Sequence, residues 1–260
     1  MNPVLKKQYG VDSMPETGEN VAADYNVSRE DQDEFAFNSH QKAIKAIEGK
    51  KFSDGIVPIT VKETYLDENE KQKEREYVVD TDEGPRANTS IKALAKLRPV
   101  FADKGSVTAG NSSQLSDGAS VTMVMSEDKA NELGVKPLAY FRGFTVVGCQ
   151  PDEMGIGPVY SIPKLLKSAN LTVDDIDLWE LNEAFASQVV YIKDQLGLPT
   201  ENLNVNGGSI AIGHPFGMTG SRQVGHLTRE LRRRGGKYGI VTMCVGGGMG
   251  ATGLFESIPE

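Results

Sequence analysis

Cysteine is scarce in this sequence: only Cys149 and Cys244 occur among 260 residues. Two cysteines cannot form a disulfide framework, and neither belongs to the CxxC pair that is typical of zinc or redox sites. We therefore expect two reduced thiols and no metal centre. No stretch approaches the roughly 20 apolar residues of a membrane-spanning helix, and Met1–Gly10 has no apolar segment typical of a signal peptide. The sequence predicts a cytoplasmic protein with no membrane partner.

The sequence also lacks a net positive charge, because its 36 Asp and Glu residues outnumber its 28 Lys and Arg residues. The formal net charge of −8 argues against nucleic acid as a partner. One basic run, Arg229–Lys237, is interpreted as the solvated face of a helix. With 38% hydrophobic and 25% charged residues the composition is that of a globular protein.

The region up to about residue 111 is predicted to be polar and rich in loops around one clear helix. That helix spans Ser28–Ile47, and Asp31 follows Ser28 at the spacing of a capping box. Two short strands, Ile56–Val61 and Glu76–Val79, are predicted around the charged run Asp67–Arg75. We interpret that run as a surface excursion.

From residue 117 the pattern changes to alternating strands and helices. Ala119–Met125 is a short, almost wholly apolar run that is typical of a central strand covered on both faces. The predicted segments that follow are strand Leu138–Val147, helix Val159–Lys167, strand Ile176–Leu181, helix Glu183–Leu196 ending at Gly197, a Gly-rich passage Asn206–Gly220, a helix to about Arg234, and strands Tyr238–Met243 and Gly253–Ser257. This alternation indicates an α/β layered fold.

Three segments near the C-terminus each place a reactive side chain among small residues. They are Asn182 in NEAF, His214 in GGSIAIGHPFG and Cys244 in CVGGGMG. Glycines allow backbone and ligand to approach closely, which is typical of functional loops. Cys244 ends an apolar strand, so its thiol and the N–H groups of the following glycines are presented together at a strand tip.

Each residue also has an ordinary structural alternative. Asn182 would serve as the N-cap of the next helix with Glu183 in its first turn, His214 as a loop histidine, and Cys244 as a small buried apolar residue. The set also suggests a papain-type hydrolase. Its chain order is wrong for that class, because papain-like enzymes place the cysteine first and at a helix N-terminus.

The same three segments resemble the C-terminal signature blocks of thiolases in order and spacing. The blocks are NEAFA (Asn182–Ala186), NGGSIAIGHPFGMTGSR (Asn206–Arg222) and CVGGGMG (Cys244–Gly250). Other parts that resemble the family are DSMPETGENVA near the start, Asp82–Phe101, Val107–Ser120 and Met154–Val159. The resemblance covers nearly all 260 residues and implies an acyl-CoA C-acyltransferase, which reversibly cleaves or condenses 3-ketoacyl-CoA.

One signature of the family does not occur in the sequence, namely the NRxCxSG-like box that holds the acylated cysteine. Neither Cys149, in VVGCQP, nor Cys244 has that context. We therefore expect a C-terminal two-thirds of a thiolase that is inactive alone: a truncated product, a fragment of a longer sequence, or one partner of a split enzyme. The alternative is a non-catalytic CoA-binding or partner subunit.

The resemblance implies a catalytic role for four residues. Thiolase chemistry needs a nucleophile, a base and donors for two transient oxyanions. His214 would activate the nucleophilic cysteine and line one oxyanion hole with a water held by Asn182. Cys244 would move the proton at the alpha carbon, and the backbone N–H of Gly246 would complete the second hole. We expect His214 and Cys244 to face one cavity beside the Asn182 amide.

Coenzyme A is implied as a substrate, with no permanently bound cofactor. By resemblance Arg86 lies near its nucleotide, Ser113 near its pantetheine arm, and Met154 against the acyl-pantetheine, with plain packing as the alternative for Met154. The family often has Gly and Asn where this chain has Gln114 and Ser116.

The implied fold is a layered αβαβα structure of two similar halves and a loop domain, commonly a homodimer or homotetramer. Residues 1–115 would form the loop domain on the CoA side, 116–132 the last strand and helix of an otherwise absent N-terminal half, and 133–260 the C-terminal half. The phrases VVGCQPDEMGIGPV and YGVDSMPET favour a degradative role in fatty acid β-oxidation over a biosynthetic one.

Overall fold

The structure is a computed structural model that describes residue 4 and residues 12–258. Most of Met1–Gly10, for which the sequence predicts no signal peptide, lies outside this part. The α-helices are α1 (Met14–Asp24), α2 (Arg29–Glu48), α3 (Ile91–Leu94), α4 (Glu127–Leu133), α5 (Gly157–Ala169), α6 (Ala186–Leu196), α7 (Ser209–Ile212) and α8 (Thr219–Arg234). The strands are β1 (Ile59–Leu66), β2 (Gln72–Val79), β3 (Ala139–Gly148), β4 (Leu178–Leu181), β5 (Tyr238–Val245) and β6 (Met249–Ser257).

The N-terminal part is more regular than the sequence predicted. Helix α1 was missed because few apolar residues mark it, yet Ser13 and Glu16 form a capping box at its start. Helix α2 confirms the predicted helix: the Ser28 hydroxyl accepts a hydrogen bond from the Asp31 backbone N–H at 3.0 Å. Strands β1 and β2 form an antiparallel hairpin, so part of the charged run belongs to β2 and only its first residues form the turn.

The apolar run Ala119–Met125 does not form the predicted strand. Val121, Met123 and Val124 are 93%, 77% and 80% exposed. No strand lies beside this segment in the described part of the chain, so its backbone has no ladder to join. The hydroxyls of Ser120 and Thr122 instead contact Ser221 at the start of α8.

The C-terminal part confirms the predicted α/β layers. Strands β3, β6, β5 and β4 form one sheet in that order, with β4 and β5 parallel and the other neighbours antiparallel. Trp179 and Ile240 pack on one face with residues of α5 and α6. Leu178 and Val241 pack on the opposite face against α8. Because both faces are covered, β4 and β5 are mostly apolar and do not alternate with exposed polar residues, although β4 lies at the edge of the sheet.

The parallel pairing of β4 and β5 decides where the candidate site can lie. Both strands end at the same edge of the sheet, since parallel strands point the same way. Asn182 follows β4 directly, and its backbone N–H donates to the Thr242 carbonyl at 2.9 Å. Cys244 lies two residues beyond Thr242 in β5. The fold therefore brings Asn182 and Cys244 to one edge, although they are 62 residues apart in the sequence.

A buried carboxyl group in β4 carries a consequence for stability. Glu180 is only 4% exposed, and this burial raises the pKa of Glu180 to about 8, against the opposing effect of Arg222. The folded chain therefore keeps a proton on Glu180 at pH values where the unfolded chain has lost it. Stability consequently falls as pH rises from the ordinary glutamate range, about 4.3, towards about 8.

We predict that Glu180→Gln removes this part of the pH dependence, because the amide stays neutral at every pH. Thermal unfolding of both proteins between about pH 5 and about pH 8 should show the wild type losing stability relative to the variant as pH rises. Glu48→Gln, which changes an exposed carboxylate at the end of α2, is the control and should follow the wild type. A constant difference between wild type and Glu180→Gln would contradict the prediction.

Candidate active site

The turn that follows β4 holds Asn182, which is buried and is not a helix N-cap. Helix α6 begins only at Ala186, with Phe185 in the N-cap position. The Oδ1 atom of Asn182 accepts a hydrogen bond from the Ser209 hydroxyl at 2.6 Å. Its Nδ2 lies 3.3 Å from Nε2 of His214. The structure thus overturns the N-cap interpretation and joins two of the predicted site residues directly.

The neighbouring Glu183 is not a first-turn residue of a helix but a fully buried anchor. Its carboxylate accepts hydrogen bonds from the Ser39 hydroxyl at 2.7 Å, the Asn204 amide at 2.7 Å and the Ile210 N–H at 3.1 Å. Burial raises the pKa of Glu183, and these three donors oppose the shift. A side chain at Gly208 would overlap this carboxyl group, which explains the glycine there.

His214 lies in the loop between α7 and α8, half-buried. Its Nδ1 is 2.7 Å from the Thr219 hydroxyl, and its ring meets the Phe216 ring edge-on with the centroids 5.4 Å apart. Burial, and then the positive charge of Arg222, lower the pKa of His214. The imidazole is therefore neutral near pH 7, the form that can accept a proton. Gly213, with φ of +104°, allows the chain to turn into this loop.

Cys244 lies near the end of β5 and is half-buried beside Val107, Ala184 and Phe185. The side-chain amide of Gln188 contacts its sulfur, with Nε2 at 3.4 Å and Oε1 at 3.9 Å. An amide can donate to a thiolate through nitrogen and accept from a thiol through oxygen. Burial raises the pKa of Cys244, while the Gln188 hydrogen bond acts to lower it.

Gln188 is a candidate site residue that sequence reasoning missed. Its signal was present, because a glutamine stands among the buried apolar residues of α6, beside Val189 and Val190. A polar side chain at a fully buried helix position needs a partner. That partner is Cys244, on a strand more than 50 residues away, which the sequence does not reveal.

Gly246 stands at the exposed turn between β5 and β6, with open space on the side where a Cβ would lie. The next two residues, Gly247 and Gly248, have φ of +88° and +93°, a region that favours glycine. The Gly248 carbonyl accepts a hydrogen bond from the Cys149 N–H at 2.8 Å. The turn is therefore held in place from one side while Gly246 stays accessible.

The other cysteine has a different setting. Burial, and then the charge of Glu153, raise the pKa of Cys149 to about 11. Its sulfur lies 4.0 Å from the Met154 carbonyl. Met154 itself is buried in the short 3-10 turn Pro151–Ile156, and its contact with the acyl-pantetheine stays a prediction.

The predicted CoA-binding residues lie in different settings. Ser113 is half-buried beside the NEAF turn, since its backbone N–H donates to the Ala184 carbonyl at 2.8 Å. Arg86 is exposed, and its backbone N–H donates to Nδ1 of His40 at 3.2 Å. Gln114, a departure from the family pattern, donates through Nε2 to three carbonyl groups, those of Gly84, Ile210 and Ala211. It thereby joins the loop before Arg86 to α7.

The structure brings together Asn182 and His214 by direct contact, and Asn182 and Cys244 by the shared sheet edge. A common cavity for His214 and Cys244 remains a prediction. A cavity of about 480 Å³ between α8, residues 52–59 and residues 117–121 is lined by neither of them. Within residues 12–258 there is no cluster of His, Cys, Asp and Glu that could hold a metal ion.

Two family models match this sequence. The description "Thiolase, N-terminal domain" matches residues 1–128, and "Thiolase, C-terminal domain" matches residues 135–257. The chain therefore belongs to the thiolase family.

Named relatives agree with this assignment. The chain is 53% identical to the 3-ketoacyl-CoA thiolase of Bacillus subtilis over 94% of its own length and 62% of the relative. It is 52% identical to the peroxisomal 3-ketoacyl-CoA thiolase A of Mus musculus over 92% of its length and 56% of the relative. The chain thus spans between 54% and 62% of the length of the curated relatives that it matches.

Solved structures show the same fold. The Bacillus anthracis acetyl-CoA acetyltransferase superposes with a TM-score of 0.88 at 46% identity, over 94% of this chain and 60% of that one. Human mitochondrial 3-ketoacyl-CoA thiolase in complex with CoA gives a TM-score of 0.84 at 41% identity, over 94% and 59%. No helix within the described residues is long and apolar enough to cross a membrane.

We predict that Gln188→Leu slows the reaction of Cys244 with iodoacetamide. A hydrogen bond to a charged group contributes about 1.5 to 3 kcal/mol, so its loss should raise the pKa of Cys244 and slow alkylation at neutral pH by about tenfold. Peptide mass spectrometry over time gives separate rates for the two cysteines. Cys149 serves as the internal control, and Gln195→Leu on the exposed side of α6 as the control variant. An unchanged Cys244 rate would show that the amide does not stabilise the thiolate.

Proposed function

We propose that this chain supplies the proton-transfer and oxyanion-binding groups of a 3-ketoacyl-CoA thiolase. The observation that carries the proposal is the contact between the Asn182 amide and Nε2 of His214, in a loop whose glycines allow a ligand to approach. A neutral histidine, a thiol and exposed glycine N–H groups lie on segments that match the thiolase family. The proposal concerns the whole enzyme, of which these residues would form one part.

The reaction assigns each group a separate task. His214 accepts the proton of the nucleophilic cysteine through Nε2, and the resulting thiolate takes up the acyl group. Cys244 removes or returns the proton at the alpha carbon of the thioester, which suits a thiol because both its protonation states are accessible. The Gly246 N–H and a water held by Asn182 stabilise the transient oxyanions. Acyl-CoA and CoA are the substrates.

We further propose the degradative direction, a cytoplasmic location and a homo-oligomer for the whole enzyme. The names of several relatives, 3-ketoacyl-CoA thiolases, support the first of these. The alternative is a non-catalytic CoA-binding or partner subunit. The DNA upstream of the Met1 codon discriminates, because an in-frame NRxCxSG-like box there supports the enzyme and its absence supports the alternative.

We predict that the 260-residue chain alone neither cleaves 3-ketoacyl-CoA nor becomes acylated. The reaction uses two thiols at once, one for the acyl group and one for the proton, so Cys244 cannot perform both tasks. A cleavage assay with mass spectrometry of the cysteine peptides tests this. Turnover, or an acyl group on Cys244, would contradict it.

The matching reconstitution adds the N-terminal region of a related thiolase, with its NRxCxSG-like box, as a separate chain. We expect activity to appear and to be lost again with His214→Ala, because the added cysteine then has no base. Activity that survives His214→Ala would remove His214 from the assigned role.

Binding of CoA to the chain alone is predicted to be weaker than micromolar. Arg86 is exposed and Ser113 is only half-buried, so neither forms an enclosed site by itself. Calorimetry with CoA measures the affinity, with Arg86→Ala as the matched variant. Micromolar binding that disappears in Arg86→Ala would contradict the prediction and favour the partner-subunit alternative.

A further inference from the structure

A chain of hydrogen bonds leads from a buried arginine to the imidazole of His214. Nη2 of Arg222 donates to the Ser209 hydroxyl at 3.0 Å, and that hydroxyl donates to Oδ1 of Asn182 at 2.6 Å. Nδ2 of Asn182 then lies 3.3 Å from Nε2 of His214. Nδ1 of His214 lies 2.7 Å from the Thr219 hydroxyl, which donates to the Pro215 carbonyl at 3.2 Å.

The donor-to-acceptor direction of this series of hydrogen bonds is set by Arg222, its first member. A guanidinium group has donors only, so the Ser209 oxygen must accept from Arg222. The Ser209 hydroxyl makes no other hydrogen bond among the described residues, so its single proton is donated to the Asn182 atom that faces it, which is the amide oxygen. The amide nitrogen, with its two protons, is consequently turned towards His214.

The far end of this series of hydrogen bonds is compatible with either tautomer. The Thr219 hydroxyl lies 2.7 Å from Nδ1 of His214 and 3.2 Å from the Pro215 carbonyl. It therefore either accepts from a protonated Nδ1 while donating to Pro215, or donates to an unprotonated Nδ1. The Asn182 amide decides between the two: because its nitrogen faces Nε2, Nε2 accepts, and the one ring proton of the neutral imidazole lies on Nδ1.

Arg222 is held where it can act in this way. It is buried in α8, and its Nε and Nη1 atoms have no hydrogen-bond partner within the described residues. The acidic side chains of Glu180, Asp82 and Glu183 lie nearby and oppose the lowering of the Arg222 pKa by burial. Among the described residues, the bond to Ser209 is therefore the one hydrogen bond through which this guanidinium reaches the site.

We propose that Ser209 and Arg222 are positioning residues that fix the orientation of the Asn182 amide and so keep His214 in the tautomer with a free Nε2. Neither residue belongs to the set of Asn182, His214, Cys244 and Gly246 that carries the chemistry. The tautomer follows from the hydrogen bonds alone, whereas its use as the base that receives the cysteine proton rests on the proposed function.

The test is spectroscopic and needs no turnover. The full 260-residue chain is labelled with 15N-histidine, and two-bond proton–nitrogen NMR spectra distinguish the two neutral tautomers. His214→Gln assigns the His214 signals among the three histidines. In the wild type at about pH 8, well above the lowered pKa of His214, we expect the Nδ1–H tautomer. An Nε2–H signal from His214 in the wild type would overturn the proposal without any variant.

Ser209→Ala is the informative variant. Without the hydroxyl the Asn182 amide can turn by half a rotation and present its oxygen to Nε2, so the population of the Nε2–H tautomer should rise from minor to major. In Asn182→Asp the carboxylate can only accept a hydrogen bond. This variant should therefore also favour the Nε2–H tautomer, and its spectrum serves as the reference for that form. Ser187→Ala removes another fully buried hydroxyl, which donates to the Gly18 carbonyl at 2.9 Å, and should leave the tautomer unchanged.

The outcomes separate this inference from the proposed function. An unchanged tautomer in folded Ser209→Ala would overturn the positioning role, whatever the activity of the whole enzyme. The expected change together with an inactive reconstituted enzyme would leave the positioning intact and count against the thiolase proposal alone. If Ser209→Ala does not fold, the wild-type and Asn182→Asp spectra still decide whether the amide sets the tautomer.

Discussion

The buried carboxylate of Glu183 is the constraint on which the site depends. A charged group without water is costly unless it is hydrogen-bonded, and Glu183 obtains its donors from α2, from Asn204 and from the first turn of α7. These contacts fix the NEAF turn against both the N-terminal part and the Gly-rich passage. Asn182 directly precedes Glu183, and His214 follows α7, whose Ile210 N–H binds the Glu183 carboxyl group, so one anchor holds both segments. Gly208 belongs to the same constraint, because any side chain there would displace the carboxylate.

The sheet supplies the second half of the arrangement. Both faces of β4 and β5 are covered, and the parallel pairing of these two strands brings their C-terminal ends to one edge of the sheet. Asn204 reinforces the outer side of β4: its side-chain amide bonds both the N–H and the carbonyl of Leu181, as a neighbouring strand would. The sheet thus carries Cys244, while Asn182 and His214 lie on a turn and a loop that the layers hold in place.

Much of this could be predicted from the sequence, where local chemistry decides the structure. The capped helix after Ser28, the αL end of α6 at Gly197 and the alternation of strands and helices depend on residues close together in the chain, and the structure has them. Contacts between distant parts of the chain could not be predicted, because they depend on how the elements pack. Examples are the contact of Gln188 with Cys244 and the hydrogen bonds that link Arg222 and Ser209 to Asn182. The N-cap interpretation of Asn182 was wrong because the helix begins only at Ala186, with Phe185 in the N-cap position. Ala119–Met125 has the composition of a central strand, yet a strand also needs a neighbour, and composition cannot supply one.

The exposed segment Ala119–Met125 has a consequence for association between copies of the isolated chain. Val121, Met123 and Val124 stand on an extended backbone whose N–H and carbonyl groups have no ladder to join, the kind of surface that pairs with whatever extended segment it meets. Every further copy of the chain exposes the same segment, so the concentration of possible partners equals the concentration of the chain. We therefore expect this polypeptide to self-associate increasingly as its concentration rises.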